Sequence, residues 1–310
     1  MVDVVIVTNN ARAMVLECLD HIRDRSIASI VVIDNASEDG TAEAVREHAP
    51  HVRLVHLDSH RGLSFAFNRG GECGSAPYVL FLNDDMFSEP GAIDRLVAVL
   101  DAHPHAVSAG GRLVDPTTLV TQDAYRPRAF PTLAGYAMSL TGLDRLWPRN
   151  PWTAPSSHRD LDDHGDPIEV DQPAGGGLLV RRSALERIGG WDEGYWFWFE
   201  DVDISRRLAA HGPALWAPDA MFRHIGGATV GRWTAAESLR RMLHGMVRYG
   251  SIHFPRSQTR ALGALLVTMA VPRALLFRRL DRQKWTVYRD LTSNGAALLR
   301  RRRAPGMLER

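Results

Sequence analysis

Lysine is nearly missing from this chain. It occurs once, at Lys284, and arginine supplies the other positive charges. That bias reads as codon usage in a GC-rich genome. Lysine and arginine together number 37 against 36 acidic residues, for a formal charge of +1. Such a balance argues against a general nucleic-acid binder, whose affinity needs a basic surplus. Cysteine is almost as scarce. Cys18 and Cys73 form no CxxC pair and cannot build a four-cysteine zinc site. Both lie in apolar-periodic segments, so they read as buried free thiols of a reducing compartment. The opening "MVDVVIVTNN" has no basic stretch followed by an apolar signal core. A cytoplasmic location is therefore the expectation. Internal repeats and metal-binding spacings such as HExxH are absent from the sequence.

What is present is enough apolar content, 45% over 310 residues, for one large domain or two small ones. "VDVVIVT" (2–8) is a β-branched run suited to a parallel strand buried on both faces. Helical spacing follows over 11–24, then a strand at 29–35 and a helix for which Ser37 or Asp39 is the expected N-cap. Strands at 52–58 and 78–84 flank a short helix opening at Leu63. This alternation predicts an α/β domain with a mainly parallel sheet, and ligands bind such sheets beyond the strands' carboxyl ends. A helix over 90–102 precedes a polar, proline-bearing stretch from 112 to 173, read as loops with short elements facing substrate.

"FLNDDMF" (81–87) runs a buried strand straight into Asn83, Asp84 and Asp85. Adjacent carboxylates against apolar surroundings are costly, so an arginine, a helix N-terminus or a metal ion is expected beside them. Asp34 ends another strand. After 234 the chain reads as helical. "ALGALLVTMAVPRALLF" (261–277) is broken by Pro272 and Arg273 where a membrane span needs about 20 clean apolar residues. Arg278, Arg279, Arg282, Lys284, Arg289 and Arg300 to Arg303 flank or follow it. A helix lying against an anionic membrane face and an ordinary packed helical appendage are the two readings.

Three blocks, "VVIDNASEDGT" (31–41), "YVLFLNDDM" (78–86) and "GGGLLVRRSALERIGGWDEGYWFWFEDVDISRRL" (175–208), resemble the family 2 glycosyltransferases, particularly bacterial rhamnosyl- and galactofuranosyltransferase-like members. "APDAMFRHIGG" (217–227) fits as well. The resemblance implies a GT-A fold, a Rossmann-like α/β nucleotide-diphospho-sugar transferase architecture with a mainly parallel central sheet. It covers 1–230 and leaves 231–310 as a basic, helical C-terminal region. It also implies an inverting transfer from a UDP- or dTDP-sugar, dTDP-rhamnose among them, to a glycan, glycolipid or polyprenyl-linked hydroxyl. That would be a step of cell-wall or polysaccharide synthesis, with the enzyme at most peripheral on the inner membrane face.

By the same resemblance Asn83, Asp84 and Asp85 stand where the family carries its DXD motif. Asp85 then ligates Mg²⁺ or Mn²⁺, with His224 completing the metal site, while Asn83 and Asp84 face the ribose and donor sugar. Asp34 would meet the nucleobase, with Thr8 and Asn10 lining that pocket, although "VTNN" departs from the family's Thr-Tyr-Asn and His60-Arg61-Gly62 replaces its Asn-x-Gly. Glu200-Asp201 matches the family's Glu-Asp motif, making Asp201 the general base, with Asp203 capping or pairing within the helix. Tyr195, Trp196, Trp198 and Phe199 would form an apolar wall beside it, and Trp198, Gly176 and Gly177 would meet the acceptor. Tight strand packing is the other reading of the glycines. A sugar nucleotidyltransferase is a rival reading, but "NNARA" is a poor phosphate loop. A non-catalytic sugar-nucleotide-binding protein at a membrane surface is a second, opposed by Asp85, Asp201 and His224.

Overall fold

The computed structural model describes residues 1–148, 150–153, 161–173, 176–227 and 230–300. Gly175 and Arg301 to Arg303 lie outside them. In chain order the elements begin β1 (Val2–Thr8), α1 (Arg12–His21), β2 (Ile27–Asp34), α2 (Thr41–His48), β3 (Arg53–His56) and α3 (Leu63–Gly71). Then come β4 (Tyr78–Asn83), β5 (Met86–Ser88), α4 (Ala92–Ala102), β6 (Ser108–Val114), α5 (Leu133–Thr141) and α6 (Leu143–Leu146). The remainder are β7 (Ile168–Val170), β8 (Leu178–Arg181), α7 (Arg182–Arg187), α8 (Glu200–Leu208), β9 (Ala214–His224), α9 (Ala235–His253), α10 (Arg256–Leu280) and α11 (Arg282–Leu299).

They divide into two compact units. The first comprises Met1–Phe130, Ser157–Trp196 and Glu200–Ala228; the second comprises Pro131–Ser156, Phe197–Phe199 and Thr229–Arg310. The first holds the sheet, ordered β3-β2-β1-β4-β8-β6-β9-β5 with β7 on β9. Its β3-β2-β1-β4 half is parallel, as the buried β-branched runs require. Antiparallel β8 then separates β4 from β6, and β5 and β7 also run antiparallel to β9.

Every residue of β1 is buried. Val4 and Ile6 face one core with α1 and α4 residues, while Val5 and Val7 face the other with Ala66 and Phe67 of α3. A β-carbon added at Gly70 would stand 2.2 Å from Val5 Cγ1, so α3 lies on the sheet at a distance only glycine allows. Two local expectations change. The α2 helix starts from Gly40 at φ +79°, and Asp39 reaches the Thr41 N–H from outside the cap. Both cysteines are free, but Cys73 is only partly buried.

The second unit is helical. A capping box starts α9: Thr234 accepts the Glu237 N–H, and Glu237 accepts the Thr234 N–H at 2.8 Å. Pro272 sits inside α10 without ending it. α10 and α11 meet at glycines, since β-carbons on Gly263 and Gly295 would stand 2.7 and 2.9 Å from each other's carbonyl oxygens.

Candidate active site

The parallel ladder sets Thr8 opposite Asp34, and Asp34 opposite His56, in one row at the strands' carboxyl ends. Thr8 is buried and its hydroxyl finds no hydrogen-bond partner among the described residues. Asn10, at φ +49°, fastens the loop after β1 to the loop after β2: its N–H donates to Ser37 Oγ and its Oδ1 accepts the Glu38 N–H. Asp34 is fully buried. Its Oδ1 accepts the Ser37 N–H at 3.0 Å and its Oδ2 lies 2.9 Å from His56 Nδ1.

Asp84 and Asp85 form the turn from β4 into β5 and are only 8% and 7% exposed. β5 pairs with β9 so that Met86 faces His224, and the Ile225 N–H donates to the Asp85 carbonyl. The end of β9 is thereby tied to the acidic turn, with His224 Nε2 3.6 Å from Asp85 Oδ2. Gln122 fixes which ring nitrogen carries the proton. Its Nε2 donates to the His224 carbonyl at 2.8 Å, so its Oε1 is the atom 2.9 Å from Nδ1. An amide oxygen only accepts, so Nδ1 holds the hydrogen and Nε2 turns a lone pair toward Asp85. Burial holds the His224 pKa below its ordinary value against the opposing pull of Asp85. The ring is therefore neutral at pH 7.

A lone pair facing a carboxylate is unfavourable unless a cation joins them, and the buried Asp85 Oδ1 has no partner of its own among the described residues. This donor set, hard oxygen plus imidazole nitrogen, fits Mg²⁺ or Mn²⁺. Among the described residues no three His, Cys, Asp or Glu side chains gather as a metal cluster. Two protein ligands would leave the other positions to phosphate oxygens and water, as is usual for Mg²⁺.

α8 begins at Glu200 and Asp201. Gln172 Nε2 donates to Asp201 Oδ2 at 2.8 Å, and the Val202 N–H donates to Oδ1. Gln172 is held in turn by paired backbone hydrogen bonds with Arg128. Burial raises the Asp201 pKa, while Arg128, backbone N–H groups and Gln172 pull it back. At Glu200 only a backbone hydrogen bond opposes the rise. Burial, then the charge of Asp201, pushes the Glu200 pKa up to about 8, and its Oε2 has no partner among the described residues. Glu200 therefore holds its proton near neutrality, while the donors around Asp201 favour its charged form. Asp203 pairs instead with Arg207 one turn on, at 2.7 Å.

Leu63, Phe67, Phe81, Leu178 and Trp191 line a small cavity with Glu200, Asp201 and Asn83. Tyr195 packs its hydroxyl toward Asp203, and Trp196 stacks on His60. Trp198 belongs to the second unit, edge-on to Phe197 and Trp233. Gly176 lines that same cavity, and both Gly176 and Gly177 also have a packing reason: added β-carbons would stand 2.6 and 3.1 Å from Met86 side-chain atoms. Gln122, Gln172, Arg128 and His56 went unnoticed in sequence. The first three fall in the polar stretch, where no periodicity singles them out.

Residues 3–189 match the glycosyl transferase family 2 profile, and 156–228 match a profile described as the N-terminal domain of galactosyltransferase. The chain is 34% identical over 216 residues, 66% of its length and 68% of the relative's, to the N-acetylglucosaminyl-diphospho-decaprenol L-rhamnosyltransferase of Mycobacterium tuberculosis. It is 26% identical, over 53% of its length and 45% of the relative's, to the glucosyl-dolichyl phosphate glucuronosyltransferase of Haloferax volcanii. Among solved structures it resembles GalNAc-T7, crystallised with UDP, GalNAc and Mn²⁺, at a TM-score of 0.60 and 16% identity. That likeness covers 94% of this chain but 54% of GalNAc-T7, so the chain spans about half of that neighbour. The shared architecture is the GT-A fold.

Proposed function

The chain belongs to glycosyl transferase family 2, and from that premise we propose that it moves a sugar, rhamnose first among candidates, from a dTDP- or UDP-sugar to a hydroxyl of a polyprenyl-diphosphate-linked amino sugar. The transfer is metal-dependent and inverts the anomeric centre. The observation that carries the donor half is the neutral His224 Nε2 facing Asp85 across 3.6 Å. A divalent ion held by those two groups would screen the charge developing on the nucleotide diphosphate as it leaves. The rhamnosyl and polyprenyl parts rest on likeness to the mycobacterial transferase.

The chain's own residues supply the rest. Asp201, kept anionic by Gln172, Arg128 and the Val202 N–H, accepts the acceptor hydroxyl's proton as that oxygen attacks. Glu200 keeps its proton near neutrality and limits the local negative charge to one. Asn83 and Asp84 orient the ribose and donor sugar, and Thr8 and Asn10 shape the nucleotide end. The test is a donor screen. With Mn²⁺, dTDP-rhamnose or a UDP-sugar should raise the melting temperature by mass action and yield free nucleotide diphosphate plus glycosylated lipid. No stabilisation by any nucleotide sugar, with or without metal, would reject the proposal.

A lipid-linked acceptor calls for a membrane face. By length and composition α10 is the described helix able to cross a membrane, and only 22% of its most apolar window is buried. Leu275, Leu276 and Leu280 are exposed beside Arg278 and Arg279. We propose that this face lies on an anionic bilayer. Each arginine near such a surface contributes about 1 kcal/mol, so R278Q/R279Q should weaken binding to phosphatidylglycerol vesicles roughly thirtyfold. Vesicle flotation unchanged by these substitutions and by added salt would exclude the idea.

A further inference from the structure

We propose that His56 is the residue that reads the nucleobase, selecting bases with an imide N–H, uracil and thymine, over cytosine. The inference rests on the chain being a nucleotide-sugar transferase. Asp34, expected at this position, has no exposed side-chain surface, and both of its oxygens are occupied. It cannot reach a ligand unless the strand ends rearrange. Its partner can: His56 lies directly opposite in the β2–β3 ladder and keeps 42% of its side chain exposed.

The pairing also determines what His56 offers. A carboxylate only accepts, so the imidazole nitrogen 2.9 Å from Asp34 Oδ2 carries the hydrogen. In the Nδ1–H tautomer that this pairing selects, Nε2 is an acceptor, held in place by a buried carboxylate that never meets the ligand. Nucleotides bind beyond the carboxyl ends of such strands, which is where His56 stands.

The rim beside it is fixed. Buried Asn35 donates to the Gly62 carbonyl at 3.1 Å and accepts the Arg61 N–H at 3.0 Å. His60 stacks on Trp196 with centroids 4.4 Å apart. An acceptor so positioned pairs with the N3–H of uracil or thymine. Against cytosine, whose N3 is itself an acceptor, it leaves two lone pairs opposed.

The experiment titrates the full chain, without metal, with UDP, dTDP and CDP by calorimetry. Wild type should bind UDP and dTDP roughly tenfold tighter than CDP, about what one well-placed hydrogen bond supplies. His56→Ala should weaken UDP and dTDP by about that factor and leave CDP unchanged, which abolishes the preference. His56→Gln, with an amide oxygen in similar reach, should recover part of it. Thermal melts check that each variant is folded, and His56→Phe takes over the comparison if the alanine variant melts early. A preference that survives loss of the imidazole would overturn the His56 assignment and leave the transferase reading standing. Equal binding of all three nucleotides by wild type would do the same. Binding of none would overturn both.

Discussion

Asp201→Asn should fold and bind donor normally yet turn over roughly 10²–10⁴-fold more slowly, the usual contribution of a positioned base. An alcohol holds its proton far above neutral pH, so an attacking hydroxyl needs an acceptor as it closes on the anomeric carbon. Asparagine keeps the shape of the side chain and can still meet the Val202 N–H, but it cannot take the proton. The loss should appear in kcat and kcat/KM alike, because the interaction forms only in the transition state. One in-line displacement inverts the centre, so the product anomer should be opposite to the donor's. Wild-type turnover in Asp201→Asn would move the base elsewhere, and a retained anomer would overturn the mechanism.

The pair also sets the pH behaviour. Activity should fall as pH drops through the Asp201 pKa, which burial places above the ordinary carboxylate value. Gln172→Leu removes a donor that favours the anion and should shift this limb to higher pH. Glu200 leaves a separate mark on stability. Its folded pKa of about 8 lies above the ordinary glutamate value of 4.5, so the fold favours its neutral form. That contribution is fully present below 4.5 and is lost as pH rises through 8. Glu200→Gln should therefore melt higher than wild type by a margin that grows across that window.

Much of this architecture is legible in the residues. Parallel strands buried on both faces must be unbroken β-branched runs, and "VDVVIVT" maps onto β1 without a residue's error. Strand ends that carry Asp34 and Asn83 contrast sharply with the apolar residues before them. The short pieces are less visible. β5 and β7 have three residues each, too few for any periodicity to register. Gln122 and Gln172 act on residues 102 and 29 positions away, so nothing local distinguishes them from solvated glutamines. The burial of Asp34 beneath His56 likewise depends on strand register, which a single strand's sequence does not contain.

Removing either half of the proposed metal site should abolish metal-assisted donor binding. Asp85→Ala deletes the hard oxygen ligand, and His224→Ala deletes the imidazole lone pair. With two protein ligands, each loss should lower Mn²⁺ affinity by at least about 100-fold, the upper range reported for disturbing mere supporting groups. Gln122→Leu tests the same geometry from one step behind. It frees the ring to choose the other tautomer and should cost about 10–100-fold. Mn²⁺ binding is read by electron paramagnetic resonance and nucleotide binding by calorimetry, both without turnover. Metal-free nucleotide binding should stay within about twofold, because the nucleobase contacts lie at other strand ends. The ranking matters as much as the size. If Asp85 and His224 share one ion, the double variant should be little worse than either single one, since the site is already lost. Independent, additive losses would mean two unrelated roles. Unchanged Mn²⁺ affinity in both single variants would remove the ion from this turn, and the opposed lone pair and carboxylate would need another cation to explain them.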